Sequence, residues 1–132
     1  MKYCQEFVEI NCAYDAAFDL FSDPLRLPEW AIAYCQSIQE VNGGFVAKTV
    51  EGDRCVDIRS DRSTGVADVC SGASHDRLDD ILFIRLTAAS PNQVLVHFVY
   101  PPPGEVPAEV LQLVETGLKQ EIAHTKELLE QA

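Results

Sequence analysis

The sequence predicts an α+β fold in which an antiparallel sheet packs against a long C-terminal helix. Three observations support this fold class. Turn signals recur at short spacing through the middle of the chain, a proline run ends that region, and helical periodicity follows the prolines. The length of 132 residues fits one domain, and we expect residues 1–132 to fold as a single unit.

The N-terminal part of the chain predicts one strand followed by two short helices. Residues 2–10 have the apolar and β-branched content of a strand, and residues 13–21 have helical periodicity. The pair Asp23-Pro24 indicates a second helix start, because aspartate caps helices and proline fits the first helical position. We expect this second helix to end near Leu27, since Pro28 restricts the residue before it.

The middle of the chain predicts an antiparallel meander of six strands. The Asn42-Gly43-Gly44 sequence is a strong hairpin signal, and the run at 101–104 ends the sheet because proline cannot continue a ladder. Residues 106–129 then have a helical period, with one apolar face. The predicted strands span residues 31–41, 45–51, 54–59, 66–71, 78–89 and 93–100. The apolar face of the helix holds Val110, Leu111, Val114, Leu118, Ile122, Leu128 and Leu129.

Short segments along almost the whole chain carry a family resemblance. These segments are Glu6-Phe7-Val8-Glu9-Ile10-Asn11, Ala16-Ala17-Phe18, Ser22-Asp23-Pro24-Leu25-Arg26-Leu27-Pro28-Glu29-Trp30, Gly65-Val66-Ala67-Asp68 and Pro102-Pro103-Gly104. Together with the order of elements, they resemble the SRPBCC or START-like superfamily, and its polyketide cyclase/dehydrase-like members look especially similar.

The resemblance implies a helix-grip fold, in which a curved antiparallel sheet of about seven strands wraps around the last helix and encloses a cavity. Family members use that cavity for lipids, polyketides, plant hormones or hydrophobic metabolites. Some members cyclise or dehydrate their ligand, and many only hold it. The fold has no invariant catalytic set, so the resemblance transfers no catalytic residue to this chain.

The composition excludes several classes of partner and location. The chain has 21 acidic and 10 basic residues, for a net charge of −11. Such a surface repels phosphate backbones and anionic lipids, so we expect neither nucleic-acid nor membrane partners. The longest aliphatic or aromatic run, residues 81–84, is far shorter than a membrane span. No leader sequence opens the chain, and we expect a cytoplasmic protein.

The sequence also predicts no cofactor and no metal. It has no phosphate-binding glycine loop, no H-E-x-x-H, no G-x-S-x-G and no dinucleotide fingerprint. Three separated histidines do not have the spacing of a metal site. The five cysteines contain no C-x-x-C pair, so we interpret them as reduced structural thiols, with a reactive nucleophile as the alternative.

Glu121 is the most informative polar residue, because it lies on the apolar face of the last helix. A carboxylate that faces a sheet must be paired, protonated or open to a wet cavity, since an unpaired buried charge is costly. One interpretation makes it a cavity acid, a cavity base or a ligand partner, with Val114 and Thr125 on the same face. The alternative pairs it with a sheet arginine, either Arg59 or Arg85.

Three residues of the predicted sheet are further candidates for acid–base chemistry. His97 interrupts the apolar final strand, and its ordinary pKa near neutrality suits proton transfer if its side chain points inward. Asp57 and Asp68 lie on consecutive strands, where paired carboxylates do acid–base work. The alternatives are a satisfied core or surface histidine, and aspartates that pair with arginines on the solvated face.

Aromatic residues at the start of the meander suit recognition of an apolar ligand. These residues are Trp30, Tyr34 and Phe45. All three have large apolar rings, and Trp30 and Tyr34 also carry a polar group, although core packing explains the three residues equally well. Gly117 either makes room for a ligand or lets a strand of the sheet approach closely. The predicted ligand-binding set is therefore Trp30, Tyr34, Phe45, His97, Val114, Gly117, Glu121 and Thr125.

These observations favour a protein that binds a small hydrophobic or aromatic molecule between its sheet and its last helix. The first alternative is a cofactor-independent polyketide cyclase or dehydratase in which His97, Glu121, Asp57 or Asp68 act as acid and base. That alternative requires at least two titratable groups on one pocket. The second alternative is a protein-interaction module with a filled core. The sequence does not decide between carrier and enzyme, and it leaves a homodimer open.

Overall fold

The computed structural model describes residues 3–131, which contain seven strands, three α-helices and one 3-10 turn. The strands are β1 Cys4–Ile10, β2 Cys35–Val41, β3 Gly44–Thr49, β4 Gly52–Asp61, β5 Val66–Gly72, β6 Asp80–Ser90 and β7 Gln93–Tyr100. The helices are α1 Tyr14–Ser22, α2 Leu27–Trp30 and α3 Ala108–Glu130, with the 3-10 turn at Pro24–Arg26. The predicted helix-grip α+β fold is confirmed.

All neighbouring strands pair in antiparallel fashion, in the order β1-β7-β6-β5-β4-β3-β2. The first strand therefore pairs with the last one, from Cys4 opposite Tyr100 to Ile10 opposite Val94. The hairpin predicted at Asn42-Gly43 is confirmed, since both residues have positive φ (53° and 81°), as a two-residue type I′ turn requires.

The core lies between the inner face of the sheet and the helices. At its centre the indole of Trp30 packs edge-on against Phe21, with ring centroids 5.0 Å apart, and lies 5.6 Å from the ring of Phe98. All three side chains are fully buried. Aromatic pairs in these orientations stabilise a core beyond their buried area alone, so the short helix α2 is held firmly against β7.

The predicted second short helix corresponds to the 3-10 turn Pro24–Arg26, whose C-cap is Leu27, but helical structure does not stop there. The Asp23 side chain does accept a hydrogen bond from the Leu25 amide, as expected of a cap. The chain then passes from the 3-10 turn directly into α2, which includes Pro28 in its first turn. Proline is tolerated there because the amide hydrogen that it lacks has no helical partner at that position. Pro28 therefore begins a helical turn instead of ending one.

The predicted strand over residues 31–41 is too long at its start, because β2 begins at Cys35. Residues 31–34 form a turn in which the Ala31 amide bonds the Leu27 carbonyl and the Cys35 amide bonds the Ala31 carbonyl. We call residues 31–34 the α2–β2 turn. Its apolar composition resembles a strand, but the amides of Ala31 and Tyr34 are bound locally and the Ala33 amide is bound by α3.

Helix α3 closes the fold by packing along β1. Lys126 donates to the Glu9 carbonyl over 2.8 Å, and the Asn11 amide donates to the Glu130 carboxylate over 2.8 Å. Lys119 pairs with Glu6 on β1 over 3.2 Å. These contacts tie the C-terminal part of the helix to the first strand. No helix among the described residues is both long and apolar enough to cross a membrane.

Candidate functional site

A cavity of about 580 Å³ lies between the inner face of the sheet, the α2–β2 turn and the first half of α3. This volume falls in the range that holds small-molecule ligands in proteins. Much of its wall is apolar, with side chains that include Leu27, Val69, Leu82, Val106, Val110 and Leu118. The cavity is therefore the candidate functional site.

Five of the residues proposed from the sequence as ligand contacts line this cavity, namely Trp30, Tyr34, Val114, Gly117 and Glu121. Three others do not. Thr125 is fully buried, and its hydroxyl donates to the Glu121 carbonyl over 2.7 Å within the helix. Phe45 lies opposite Val56 on β4, outside the cavity wall. His97, the third, lies on the opposite face of the sheet.

His97 faces outward because its strand neighbours Val96 and Phe98 are the fully buried, inward residues. Its imidazole Nε2 lies 3.1 Å from the Gln5 side-chain oxygen, and its ring packs edge-on against Phe7, which is 64% exposed. The cavity role expected for His97 therefore needs correction. Both faces of this strand are apolar in sequence, so alternation alone could not assign the inward one.

The two candidate aspartates also lie outside the cavity, on the face opposite Val69. Asp57 is exposed. The Asp68 carboxylate accepts hydrogen bonds from the Arg85 guanidinium over 2.5 Å and from the Ile84 amide over 3.1 Å. Asp68 thus stabilises the pairing of β5 with β6, and the acid–base role considered for both residues is not available at this site.

Glu121 does line the cavity, and it is only 3% exposed. Its carboxylate accepts a hydrogen bond from the Ala33 amide over 3.1 Å. The alternative pairing with Arg59 or Arg85 is wrong, because both arginines neighbour Asp68 on the outer face. Burial raises the pKa of Glu121 from its usual value near 4.5 to about 7, against the opposing effect of the backbone amides.

Glu121 therefore does two things at one position. It holds the α2–β2 turn on the helix, and it presents a carboxyl group whose charge changes near neutral pH to the cavity. Its charge also acts on Cys35, since burial and then the Glu121 carboxylate raise the pKa of that thiol to about 11. Cys35 is thus an inert thiol, and all five cysteines are unpaired.

Gly117 lets the α2–β2 turn approach α3. A Cβ atom at this position would lie 3.1 Å from the Ala33 Cβ. Gly117 also lines the cavity, and the segment that approaches it is a turn, not the strand that the alternative expected. The missing side chain brings the turn close enough for the Glu121 carboxylate to bind the Ala33 amide.

A second group of polar residues lines the cavity near the start of α3, and sequence reasoning missed four of its members. We call this group the polar end. It consists of Tyr34, Arg54, Ser71, Asp80 and Tyr100. The Tyr100 hydroxyl donates to the Asp80 carboxylate over 2.6 Å, and the Tyr34 hydroxyl donates to the Ser71 hydroxyl over 3.2 Å. The Arg54 guanidinium lies 3.9 Å from the Asp80 carboxylate.

The polar end keeps both phenols protonated. Burial, followed by the neighbouring Asp80, raises the pKa of Tyr100 well above its usual range. Burial also raises the pKa of Tyr34, with the Ser71 hydrogen bond acting in the opposite direction. Tyr100 continues the inward alternation of Val94, Val96 and Phe98, but the sequence alone did not show which face of this strand is inward. Arg54, Ser71 and Asp80 meet only when strands β4, β5 and β6 pair in register, and Tyr34 joins them from the α2–β2 turn.

Two buried side-chain nitrogens lack a hydrogen-bond partner among residues 3–131, and both belong to the cavity wall. They are Nε1 of Trp30 and Nε of Arg54. Buried polar atoms in folded proteins are normally satisfied, so these two nitrogens are exceptions, and neither has appreciable accessible surface towards the cavity. Within the same described part of the chain, no group of three or more metal-ligating side chains is assembled.

No family model and no curated protein matches this sequence. Solved structures do match it. The protein XoxI from Bacillus cereus is similar with a TM-score of 0.74 at 14% identity, over 98% of this chain and 96% of that one. A START superfamily protein from Mycobacterium smegmatis has a TM-score of 0.72 at 11% identity, over 98% and 97% of the two chains.

The di-domain ARO/CYC protein BexL is also similar, with a TM-score of 0.74 at 14% identity. The match covers 96% of this chain and 46% of BexL, so this chain corresponds to less than half of that protein. At these identities the comparisons establish the fold. The chain has the START-like, polyketide cyclase-like fold that the sequence motifs indicated.

Proposed function

We propose that the protein binds a small, mostly apolar molecule in the cavity between the sheet and α3. The observation that carries this proposal is the cavity itself, a partly open cleft of about 580 Å³ lined largely by aliphatic and aromatic side chains. A cleft of this volume, with an apolar lining and a few polar groups at one end, has the character of small-molecule sites in proteins.

The same observation argues against an interaction module with a filled core. A filled core would bring the start of α3 onto the sheet, and Val110 and Leu113 would then be buried. Instead both side chains line the cavity and are exposed, Leu113 at 73%. Helix α3 covers the cavity along this part without filling it.

A second candidate function is cofactor-independent acid–base catalysis on the bound molecule, as in a cyclase or dehydratase. The supporting observation is that titratable groups share one cavity: Glu121, whose pKa is about 7, and the hydrogen-bonded pair Asp80 and Tyr100. A carboxyl with a pKa near neutrality takes up or releases a proton at working pH. The fold likeness to the ARO/CYC protein BexL supports this candidate by analogy.

Native mass spectrometry tests the binding proposal on the protein as purified from its own host. A non-covalent mass that disappears under denaturing conditions identifies the ligand class directly. For a controlled test, the neutral dye N-phenyl-1-naphthylamine is titrated and its fluorescence is followed. We expect saturable enhancement, since the dye is small, apolar and suited to a cavity of this volume.

A matched pair of variants on α3 locates the dye. Val114 lines the cavity, whereas Gln112 is exposed and does not. Val114→Trp fills the cavity, so we expect dye affinity to fall at least tenfold, while Gln112→Trp leaves it within twofold. Equal affinities in the two variants, or no saturable binding by the wild-type protein, would contradict the proposal.

A further inference from the structure

Glu121 is a buried carboxyl group without a cationic partner. It is 3% exposed, and no arginine, lysine or histidine among residues 3–131 forms an ion pair with it. Its carboxylate accepts a hydrogen bond from a neutral group, the Ala33 amide. Buried carboxylates are normally paired with a cation or neutralised by a proton, because an unpaired buried charge is costly. The described chain therefore supplies no counter-charge for the ionised form of Glu121.

One oxygen of this carboxylate is open to the cavity. Oε2 accepts the bond from Ala33, whereas the neighbouring Tyr34 amide donates to the Ala31 carbonyl over 3.1 Å. No group in the described part of the chain donates a hydrogen bond to Oε1, yet Oε1 is not one of the fully buried atoms that lack a partner. Oε1 therefore keeps accessible surface, and the cavity is the opening that Glu121 lines.

The other charges of the cavity wall also favour a positive ligand. The described lining contains three carboxyl groups, on Glu51, Asp80 and Glu121, and one guanidinium, on Arg54. Arg54 lies 3.9 Å from the Asp80 carboxylate, so that carboxylate already has a cation nearby. The whole chain carries a net charge of −11. Clefts lined mainly by one sign of charge concentrate ions of the opposite sign, so this cavity attracts cations and repels anions.

We propose that the ligand is a hydrophobic amine, bound as its ammonium ion, and that the Glu121 carboxylate is its counter-ion in the cavity. An ammonium group has only hydrogen-bond donors, and it supplies the charge that the fold does not provide to Glu121. The aliphatic and aromatic lining accepts the hydrocarbon part of the same molecule. This inference rests on the proposed function, because it names the ligand class of the same cavity.

The titratable groups next to Glu121 do not take over this role. Burial raises the pKa of the Tyr34 phenol, and it raises the pKa of the Cys35 thiol to about 11, so both stay neutral up to pH 8. His124 follows three residues later on α3, and its Nε2 lies 3.0 Å from the Glu29 carbonyl oxygen. This imidazole is therefore engaged with α2.

The charged groups of the neighbouring elements are paired elsewhere. Glu6 on β1 forms an ion pair with Lys119 over 3.2 Å, and Glu29 on α2 forms one with Arg26 over 3.1 Å. Glu121 is thus the carboxyl group of this region that remains for a ligand cation. Since its pKa is about 7, the cavity offers a carboxylate above neutral pH and a neutral acid below it.

Three probes with one naphthalene ring test the inference by displacement of the neutral dye N-phenyl-1-naphthylamine. The probes are 1-naphthylmethylamine, 1-naphthalenemethanol and 1-naphthoate. At pH 8 we expect the protonated amine to bind about tenfold or more tighter than the alcohol, and the naphthoate to bind most weakly. Between pH 8 and pH 5.5 the ratio of amine affinity to alcohol affinity should fall by about tenfold, because Glu121 takes up a proton.

A matched pair of variants removes the same charge at two places. Glu121→Gln keeps an oxygen that accepts the Ala33 amide, and Asp57→Asn changes an exposed residue outside the cavity wall. In Glu121→Gln we expect the affinity ratio at pH 8 to fall to about one and to lose its pH dependence, with alcohol affinity changed by less than about threefold. In Asp57→Asn the ratio should stay within about twofold of the wild-type value.

The outcomes separate this inference from the proposed function. Equal binding of amine and alcohol by the wild-type protein at pH 8, or tightest binding by naphthoate, overturns the inference while cavity binding stands. An amine preference that persists in Glu121→Gln overturns the assignment of Glu121 as counter-ion. The wild-type pH series decides this point if the variant does not fold. If no probe binds and the dye also fails, the proposed function itself is overturned.

Discussion

The two halves of helix α3 differ in what they bury. Residues 118–130 contain all of its buried side chains, which are Leu118, Glu121, Ile122, Thr125 and Leu129. Residues 108–117 contain none, and several of them line the cavity. One continuous helix is therefore anchored to the core at its C-terminal half and covers the cavity with its N-terminal half.

The difference separates stability from access to the cavity. Burial of apolar surface in the second half stabilises the helix against the sheet. The contacts of Lys126 with β1 and of Glu130 with Asn11, just after β1, reinforce it. The first half has few buried contacts to lose when it moves. Segments of this kind open at low free energy in folded proteins, so we expect the first half of α3 to open more readily than the second.

The largest expected effect contrasts one substitution in each half. Ile122→Ala removes a buried side chain from the anchored half, and we expect it to lower the free energy of unfolding by about 3 kcal/mol. Leu113→Ala removes a side chain that is 73% exposed, and we expect a change below about 0.5 kcal/mol. Urea unfolding measures both. Comparable losses in the two variants would remove the distinction between the halves.

The next effect concerns Glu121, which lies at the boundary between the halves. Its pKa is raised from about 4.5 to about 7 in the folded protein, so the folded state binds a proton more tightly than the unfolded state. The stability contribution therefore falls as pH rises from 4.5 to 7 and is constant above that window. Relative to the Glu121→Gln variant, the free energy of unfolding of the wild-type protein should fall by up to about 3 kcal/mol across this pH window.

Urea unfolding of both proteins between pH 5 and pH 8 checks this expectation. Glutamine keeps an oxygen that accepts the Ala33 amide and removes the titration, so it is the matched control. Parallel pH dependences for the two proteins would mean that Glu121 stays ionised in the fold, and its role as an acid or base at neutral pH would then be lost.

The smallest effect concerns Gly117, where the α2–β2 turn crosses the helix. Replacement of a helical glycine by alanine stabilises a helix by about 1 kcal/mol. The new Cβ would lie 3.1 Å from the Ala33 Cβ, which requires a shift of the turn. We expect Gly117→Ala to raise the free energy of unfolding by about 0.5 kcal/mol, because the turn can shift at small cost. A loss above about 1 kcal/mol in urea would show a rigid turn.

The order of elements could be predicted from sequence because each signal was local. Alternation, the Asn42-Gly43 turn and the proline run at 101–104 act over a few residues and need no tertiary information. Boundaries failed where tertiary contacts replaced local ones. The α2–β2 turn is apolar enough to resemble a strand, yet the Ala33 amide is bound by a carboxylate 88 residues away.

The site was predictable where one element determines a side chain's direction. The helical period placed Val114 and Glu121 towards the sheet, and both line the cavity. The face of β7 that carries His97 could not be assigned from sequence, because both faces of this strand are apolar. That face is decided by how β7 pairs with β1 and β6. The polar end escaped notice for a related reason: Ser71 and Asp80 become neighbours only through the register of β5 and β6.

The pairing of the first strand with the last one has a consequence for the order of folding. Strands β2 to β7 join neighbours in the chain and can pair as soon as each hairpin exists. Strand β1 must wait for residues 94–100, and loop closure over such a separation is entropically costly and slow. During synthesis the N-terminal strand therefore stays unpaired until β7 has been made. Helix α3 then completes the fold by binding both β1 and the α2–β2 turn.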